Sequence, residues 1–346
     1  MSDTITRLLA EGDFLHLSRN EPALFATPLQ FSLSNNTQVS VLSEGVIQFE
    51  PENSGDKDII YSCGVHGNET APIEICDDLV RAILTGELTL AHRLLVIFGN
   101  LPAMDIGERF VEENMNRLFD GEHANPDIAE NQERKRARHL EDVVSVFFTS
   151  QGEGRKRYHY DLHTAIRDSK NEKFAVYPFT HGRPRKPEQL VFMKECGVST
   201  IMLSESPTTT FSYHSNKHFE ADAFTVELGK VRPFGENDMS RFEQARDMLT
   251  RWACEPEVAL PEFNPDDFLI YRVNQIINRT QEDFTLHFAD DTPNFSDYAQ
   301  GTLLASEPGA EYFAQQDGEA IVFPNAKVAL GQRALLTVVP TSLEES

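Results

Sequence analysis

The sequence has no uninterrupted run of 18 apolar residues, so it offers no candidate for a membrane-spanning helix. Its opening, MSDTITRLLAEGDF, lacks the basic stretch and apolar core of a secretory signal, and a cytoplasmic location is expected. Basic residues are in short supply: 31 Lys and Arg stand against 55 Asp and Glu, a formal charge of −24. That balance repels phosphate backbones and anionic lipid, so no nucleic acid and no membrane is expected as a partner. Cysteine is scarce too. Cys63, Cys76, Cys196 and Cys254 lie far apart with no C-x-x-C pair, which argues against a disulfide framework and for reduced, mostly buried thiols. Internal repeats and low-complexity tracts are missing as well.

What is present is enough apolar material, 40% of 346 residues, for a full-sized core and for more than one domain. From about residue 58 to 253, apolar runs alternate with helical patterns in the manner of βαβ units. DIIYSC, RLLVIFGN, YHYDLHT, KFAVYPF, STIMLSE and AFTVELG read as strands. Residues 70 to 85, NQERKRARHLEDVVSVFF, EQLVFMKECG and SRFEQARDMLTRWAC read as helices. In the first 50 residues, QFSLSNNTQVSVLSEGVIQFEP reads as strands about an Asn-Asn turn that edge the main sheet. After Pro256 helical periodicity gives way to short alternating runs between Gly, Pro, Asn and Asp clusters. The expected fold is therefore α/β, a mixed, largely parallel sheet flanked by helices. Residues 1–254 would form the catalytic domain and 255–346 a smaller β-rich domain.

Three strand ends carry candidate chemistry. In CGVHGNETAPIE, His66 and Glu69 follow an apolar strand, lie between glycines, and precede a helix that Pro72 would help to start. Side chains at the carboxyl ends of parallel strands face the crevice where α/β folds bind ligands. A histidine and a carboxylate there could grip a zinc ion, and His163 of DLHTA could supply a third ligand, leaving a fourth position open. Asp161 could orient His163 from an outer position. The plainer reading of His66 is a surface-loop histidine, and His159 competes with His163. Glu227 of TVELGK sits at another strand exit, where a partly apolar setting would fit it to act as a base; Glu205 of MLSESP is its rival. Arg109, Asn116 and Arg117 of GERFVEENMNRLFDG could face an anion, since a guanidinium fork matches a carboxylate.

Taken in order, HGNETAP, RLLVIFGN, RF-VEEN-MNRLF, DLHTAIR and TVELGK-PFG-ND resemble the aspartoacylase-like zinc carboxypeptidase superfamily over about residues 60 to 250. The resemblance is strongest toward members that cleave N-succinyl-L-glutamate to succinate and L-glutamate. It implies one zinc per subunit held by His66, Glu69 and His163, with Glu227 as general base. It further implies that Arg109 polarises the scissile carbonyl, and that Asn116 with Arg117 holds a carboxylate of a small anionic substrate. Arg167 and Lys230 are additional candidates for that role. The β-rich segment would narrow the active-site entrance. Removal of another acyl group, carboxypeptidase action, and metal binding without turnover are the competing readings.

Overall fold

The computed structural model describes residues 3–152 and 154–344. The chain begins with two short helices, α1 (Asp3–Glu11) and α2 (Phe14–Asn20), which the strand reading of this segment omitted. Leu8, Phe14, Leu15 and Leu17 bury their apolar sides. An antiparallel meander follows, β1 (Leu29–Ser32), β2 (Gln38–Ser43) and β3 (Val46–Glu50). The Asn35-Asn36 turn joins its first two strands, with Asn36 in the left-handed region (φ 65°) that asparagine tolerates.

The alternating part runs through β4 (Lys57–Cys63), α3 (Thr70–Leu84), β5 (Arg93–Phe98), α4 (Leu101–Ile106) and α5 (Gln132–Thr149). It continues with β6 (Lys156–Ala165), β7 (Phe174–Tyr177), α6 (Pro187–Glu195), β8 (Thr200–Leu203), α7 (Phe211–Phe219), β9 (Asp222–Lys230) and α8 (Glu243–Cys254). The C-terminal strands are β10 (Leu269–Asn278), β11 (Thr285–Leu286), β12 (Ser296–Tyr298), β13 (Leu303–Glu307), β14 (Ala310–Phe313), β15 (Glu319–Val322) and β16 (Arg333–Pro340).

Among the described residues, 13 strands form one sheet in the order β1-β2-β3-β5-β4-β6-β9-β7-β8-β10-β16-β15-β12. The pairs β5–β4–β6–β9 and β7–β8–β10 are parallel, while β7 meets β9 antiparallel, so the sheet is mixed and largely parallel at its centre. Strands β11, β13 and β14 make a separate small antiparallel sheet. The main sheet runs on past residue 254, because β10 pairs with β8. After Pro256, β10 still runs parallel to β8, and beyond it the pairing turns antiparallel through β16, β15 and β12. No helix among the described residues is long and apolar enough to cross a membrane.

Every residue of β4 and β5 is buried because helices cover both faces of this sheet. On β6 the alternation sorts side chains by chemistry: Tyr158, Tyr160 and Leu162 join the core beneath α3, α6 and α8. His159, Asp161 and His163 turn to the opposite face, where α5 and Phe211 of α7 pack. A polar row therefore lies buried within the sheet.

Candidate active site

The chain leaves β4 through Gly64, whose left-handed backbone (φ 63°) would strain any other residue. Gly67 is needed for a different reason. A Cβ there would stand 2.2 Å from the Ala103 backbone carbon, so α4 can approach only a glycine. The tight passage delivers His66 and Glu69, both buried, to the carboxyl end of the sheet just before α3. His163, also buried, reaches the same place from the end of β6. One donor atom from each of His66, Glu69 and His163 lies within 4.8 Å of the others. The three side chains that the sequence reading grouped are thus brought together.

Their hydrogen bonds define what the group can hold. The Asn114 amide oxygen accepts the Asn116 backbone N–H (3.1 Å) and faces His66 Nε2 at 2.9 Å, so that nitrogen carries the proton and Nδ1 bears a lone pair. His66 Nδ1 lies 2.8 Å from Glu69 Oε1 yet has no hydrogen-bond partner among the described residues. His163 Nε2 faces Asp161 Oδ2 at 2.8 Å, and its Nδ1 faces Glu69 Oε2, also at 2.8 Å. Burial opposes charge on His163, but Asp161 and Glu69 outweigh it and hold its pKa well above the ordinary value. Burial, reinforced by Arg109, pushes His66 down to about 4 against the pull of Glu69. Two imidazole nitrogens and a carboxylate converging this way fit a divalent cation, which would relieve the lone-pair opposition at His66 Nδ1. A His₂Glu donor set with a free position belongs to catalytic rather than structural zinc chemistry. The Asp161 contact fixes the His163 ring from behind, as outer carboxylates do for metal-bound histidines.

Glu227 is the register partner of His163 on β9 and is buried, and its Oε2 has no hydrogen-bond partner among the described residues. Burial, then the nearby Glu69 charge, raises its pKa to about 7, although His163 and Arg109 pull the other way. Its rival Glu205 pairs with Arg185 at the surface, away from this cluster. His159 stays four residues down the strand, bonded to Ser62 and Ser215 (2.8 and 2.7 Å). Arg109 Nη1 donates to Glu69 Oε1 at 2.5 Å, and its carbonyl accepts the Gly67 N–H. Arg117 donates to its neighbour's carbonyl and forms no ion pair among the described residues. Asn116 uses its amide oxygen to accept the first N–H of α7, from Phe211, and among the described residues its Nδ2 donates to no side chain or carbonyl.

Residues 56–253 match the succinylglutamate desuccinylase/aspartoacylase catalytic domain, and 266–341 match the barrel-sandwich hybrid domain of the same enzymes. The chain belongs to the succinylglutamate desuccinylase/aspartoacylase family. A succinylglutamate desuccinylase of Pseudoalteromonas atlantica is 57% identical over 341 residues, covering 98% of this chain and 97% of that one. The crystal structure of the Chromobacterium violaceum succinylglutamate desuccinylase superposes with a TM-score of 0.82 at 39% identity, covering 95% and 97% of the two chains. That of Vibrio parahaemolyticus gives 0.84 at 35% identity over 94% of each.

The hybrid region of this family member adds a residue that sequence reasoning left unassigned. Arg333, at the start of β16, is half-buried, and burial with the nearby Arg109 charge lowers its pKa to about 10. Burial, then the Arg333 and Arg109 charges, also push Arg117 well below its ordinary value. Arg109, Arg117 and Arg333 thus lie close enough to feel one another's charge, and the last two lack any carboxylate partner among the described residues. Nothing in GQRALL singled Arg333 out, because its neighbours here are some 220 residues away along the chain. Asn114 was missed as well, though it stands inside the VEENMNRLF stretch that drew attention to Asn116 and Arg117. Arg167 instead donates to the carbonyls of Thr292 and Pro324, and Lys230 pairs with Asp168 at the surface.

Proposed function

We propose that the chain is an amidohydrolase that cleaves N-succinyl-L-glutamate to succinate and L-glutamate, using one zinc ion per subunit at His66, Glu69 and His163. The observation that carries this reading is the convergence of those three donors beside the buried, unpartnered carboxylate of Glu227. The full-length likeness to proteins named succinylglutamate desuccinylase supports the choice of substrate. A bound divalent ion supplies Lewis acidity toward a water and toward a carbonyl oxygen.

The chain's own groups supply the rest. Glu227 takes a proton from the attacking water and returns it to the departing amine nitrogen, for which a pKa of about 7 suits both directions. Arg109 faces the oxyanion that develops at the scissile carbonyl, a donor of a kind whose loss costs about 3 to 4 kcal/mol of transition-state stabilisation. Arg117, the Nδ2 group of Asn116, and Arg333 hold substrate carboxylates. Residues 1–254 thus bring the catalytic groups, and 255–346 close the site and add one cation. The −24 charge is no obstacle, because it is screened over about 8 Å at physiological salt while the arginines meet the anion in direct contact. Four cysteines without disulfides suit a reducing cytoplasm.

The test is a zinc assay with turnover of succinylglutamate, acetylaspartate and a short peptide. Preferred hydrolysis of succinylglutamate by the zinc-loaded protein is expected. Preference for another member of the panel would change the substrate, and zinc without any turnover would reduce the site to a binding module.

A further inference from the structure

A second group of metal-type ligands lies outside this centre. His214 and His218 stand one turn apart on α7, which puts them on one helical face. That face meets Asp120, in the segment that follows the Met115–Arg117 turn. One donor atom from each of the three lies within 4.8 Å of the others. His218 Nε2 is 2.8 Å from Asp120 Oδ1, and the two histidine ring centres are 4.8 Å apart. His214 is 7% exposed, and among the described residues neither of its ring nitrogens has a hydrogen-bond partner, an arrangement that a buried imidazole adopts only at a cost. The Glu141 carboxylate stands 3.4 Å from His214 Nδ1. Positive charge is already stabilised there, since Lys217 Nζ sits 3.0 and 2.9 Å from the two Asp120 oxygens. That ammonium is on a partly exposed side chain and can swing into solvent.

We propose that Asp120, His214 and His218 form a second metal site for a divalent transition ion such as zinc, with Lys217 as the cation it displaces. Two imidazoles and a carboxylate are a borderline-soft set that suits zinc rather than calcium or magnesium. Burial, reinforced by His218, lowers the His214 pKa to about 4, so this ligand is neutral at physiological pH. The consequence is mechanical. An ion there would clasp α7 to the segment carrying Asn114, Asn116 and Arg117, along the seam where Phe119 stacks on Phe211 (4.2 Å). The ion would hold in place the segment that leads to the first centre, without touching the reacting atoms.

The test uses untagged, full-length protein stripped of metal, then equilibrated with zinc and assayed for bound metal and for Tm. Wild type is expected to hold two zinc ions, His163→Ala one, His218→Ala one, and the double variant none. Zinc should raise the Tm of His163→Ala and leave that of the double variant unmoved, and Lys217→Met should tighten the second site. One zinc in wild type and none in His163→Ala would overturn the proposal, as would zinc retained by the double variant. Should His163→Ala fail to fold, wild type against His218→Ala decides it, two ions against one, because the His218 side chain is 43% exposed and lies on the outer side of α7.

Discussion

Strands β4, β5 and β6 carry buried charge at both ends, and the two ends treat it differently. At the amino end, Arg93 is 1% exposed, yet its guanidinium donates to Asp58 (2.8 Å), to Ser150 (3.0 Å) and to the Phe147 carbonyl, and stacks over the Phe147 ring. Arg155 donates to the same Asp58 oxygen and to two backbone carbonyls. That end is closed in charge: its two cations face Asp58, and Glu50 stands 3.4 Å from Arg93 Nε, although Asp58 Oδ2 and Arg93 Nε make no hydrogen bond among the described residues. At the carboxyl end, Glu69, Asp161 and Glu227 crowd against His66, His163 and Arg109, one carboxylate oxygen and one ring nitrogen are left without a hydrogen bond, and negative charge is in surplus. Buried charge alone therefore does not mark a site. Charge left without its opposite does.

The largest effect should come from emptying the open end. His163→Ala removes a donor that sits between Glu69 and Asp161, and turnover is expected to fall to background with loss of zinc from this centre. Measuring both in a His218→Ala background keeps the second cluster silent. Zinc retained at the first centre would show that another group holds the third position. Glu227→Gln should keep that zinc while kcat drops by about 10² to 10⁴, the range for a positioned acid–base group. Loss of metal in this variant would recast Glu227 as a ligand.

The closed end should answer in stability and not in rate. Arg93→Met strands Asp58 with one cation in place of two, and breaking a buried pair costs about 3 to 5 kcal/mol. Denaturant unfolding should register that loss, with kcat per folded molecule unchanged. A variant as stable as wild type would mean that Arg155 alone satisfies Asp58, and the contrast between the two ends would lose its structural half.

How much of this was legible follows from local geometry. HGNE, DLHTA and TVELGK announced themselves because each puts a ligand-type residue at the exit of an apolar strand, where the backbone must turn and the side chain must face the crevice. Choosing His163 over His159 was harder, since alternation puts both on one face of β6. Four residues of strand separate them by roughly 13 Å, so only knowledge of where the strand ends could decide. Helix α7 escaped notice because FSYHSNKHF has no aliphatic stripe and buries histidine, serine and asparagine instead. Arg333 could not be seen at all, for the arginines whose charge it feels lie in a loop some 220 residues earlier in the chain.

The buried row that begins at His163 gives a pH test. Asp161 Oδ1 accepts from Ser62 Oγ (2.5 Å), Ser62 meets His159 Nε2 (2.8 Å), and His159 Nδ1 meets Ser215 of α7 (2.7 Å). Burial lowers the His159 pKa to about 4, although Asp161 pulls it upward. Unfolding releases the imidazole to an ordinary value of about 6.5. The unfolded state therefore takes up a proton first, so the stabilising contribution is complete above about pH 6.5 and is lost as pH falls toward 4. It amounts to about 3 kcal/mol at most. His159→Gln should flatten that part of the stability profile relative to wild type. An unchanged acid limb would mean that His159 is already charged in the folded protein.

The smallest effect tests whether the open end extends into the hybrid region. Arg333 and Arg117 stand near each other and near Arg109 with no carboxylate partner among the described residues, an arrangement that repels itself until an anion arrives. If Arg333 binds a substrate carboxylate, Arg333→Met removes a charge-assisted hydrogen bond worth about 1.5 to 3 kcal/mol, and KM should rise about 10- to 100-fold with little change in kcat. Arg333→Lys should recover part of that loss, because it restores the charge but not the two-pronged fork. A structural role predicts the reverse pattern. Removing one of several mutually repelling cations would then leave KM alone and change only the Tm, and the C-terminal strands would serve as a wall to the site and contribute no contact to the substrate.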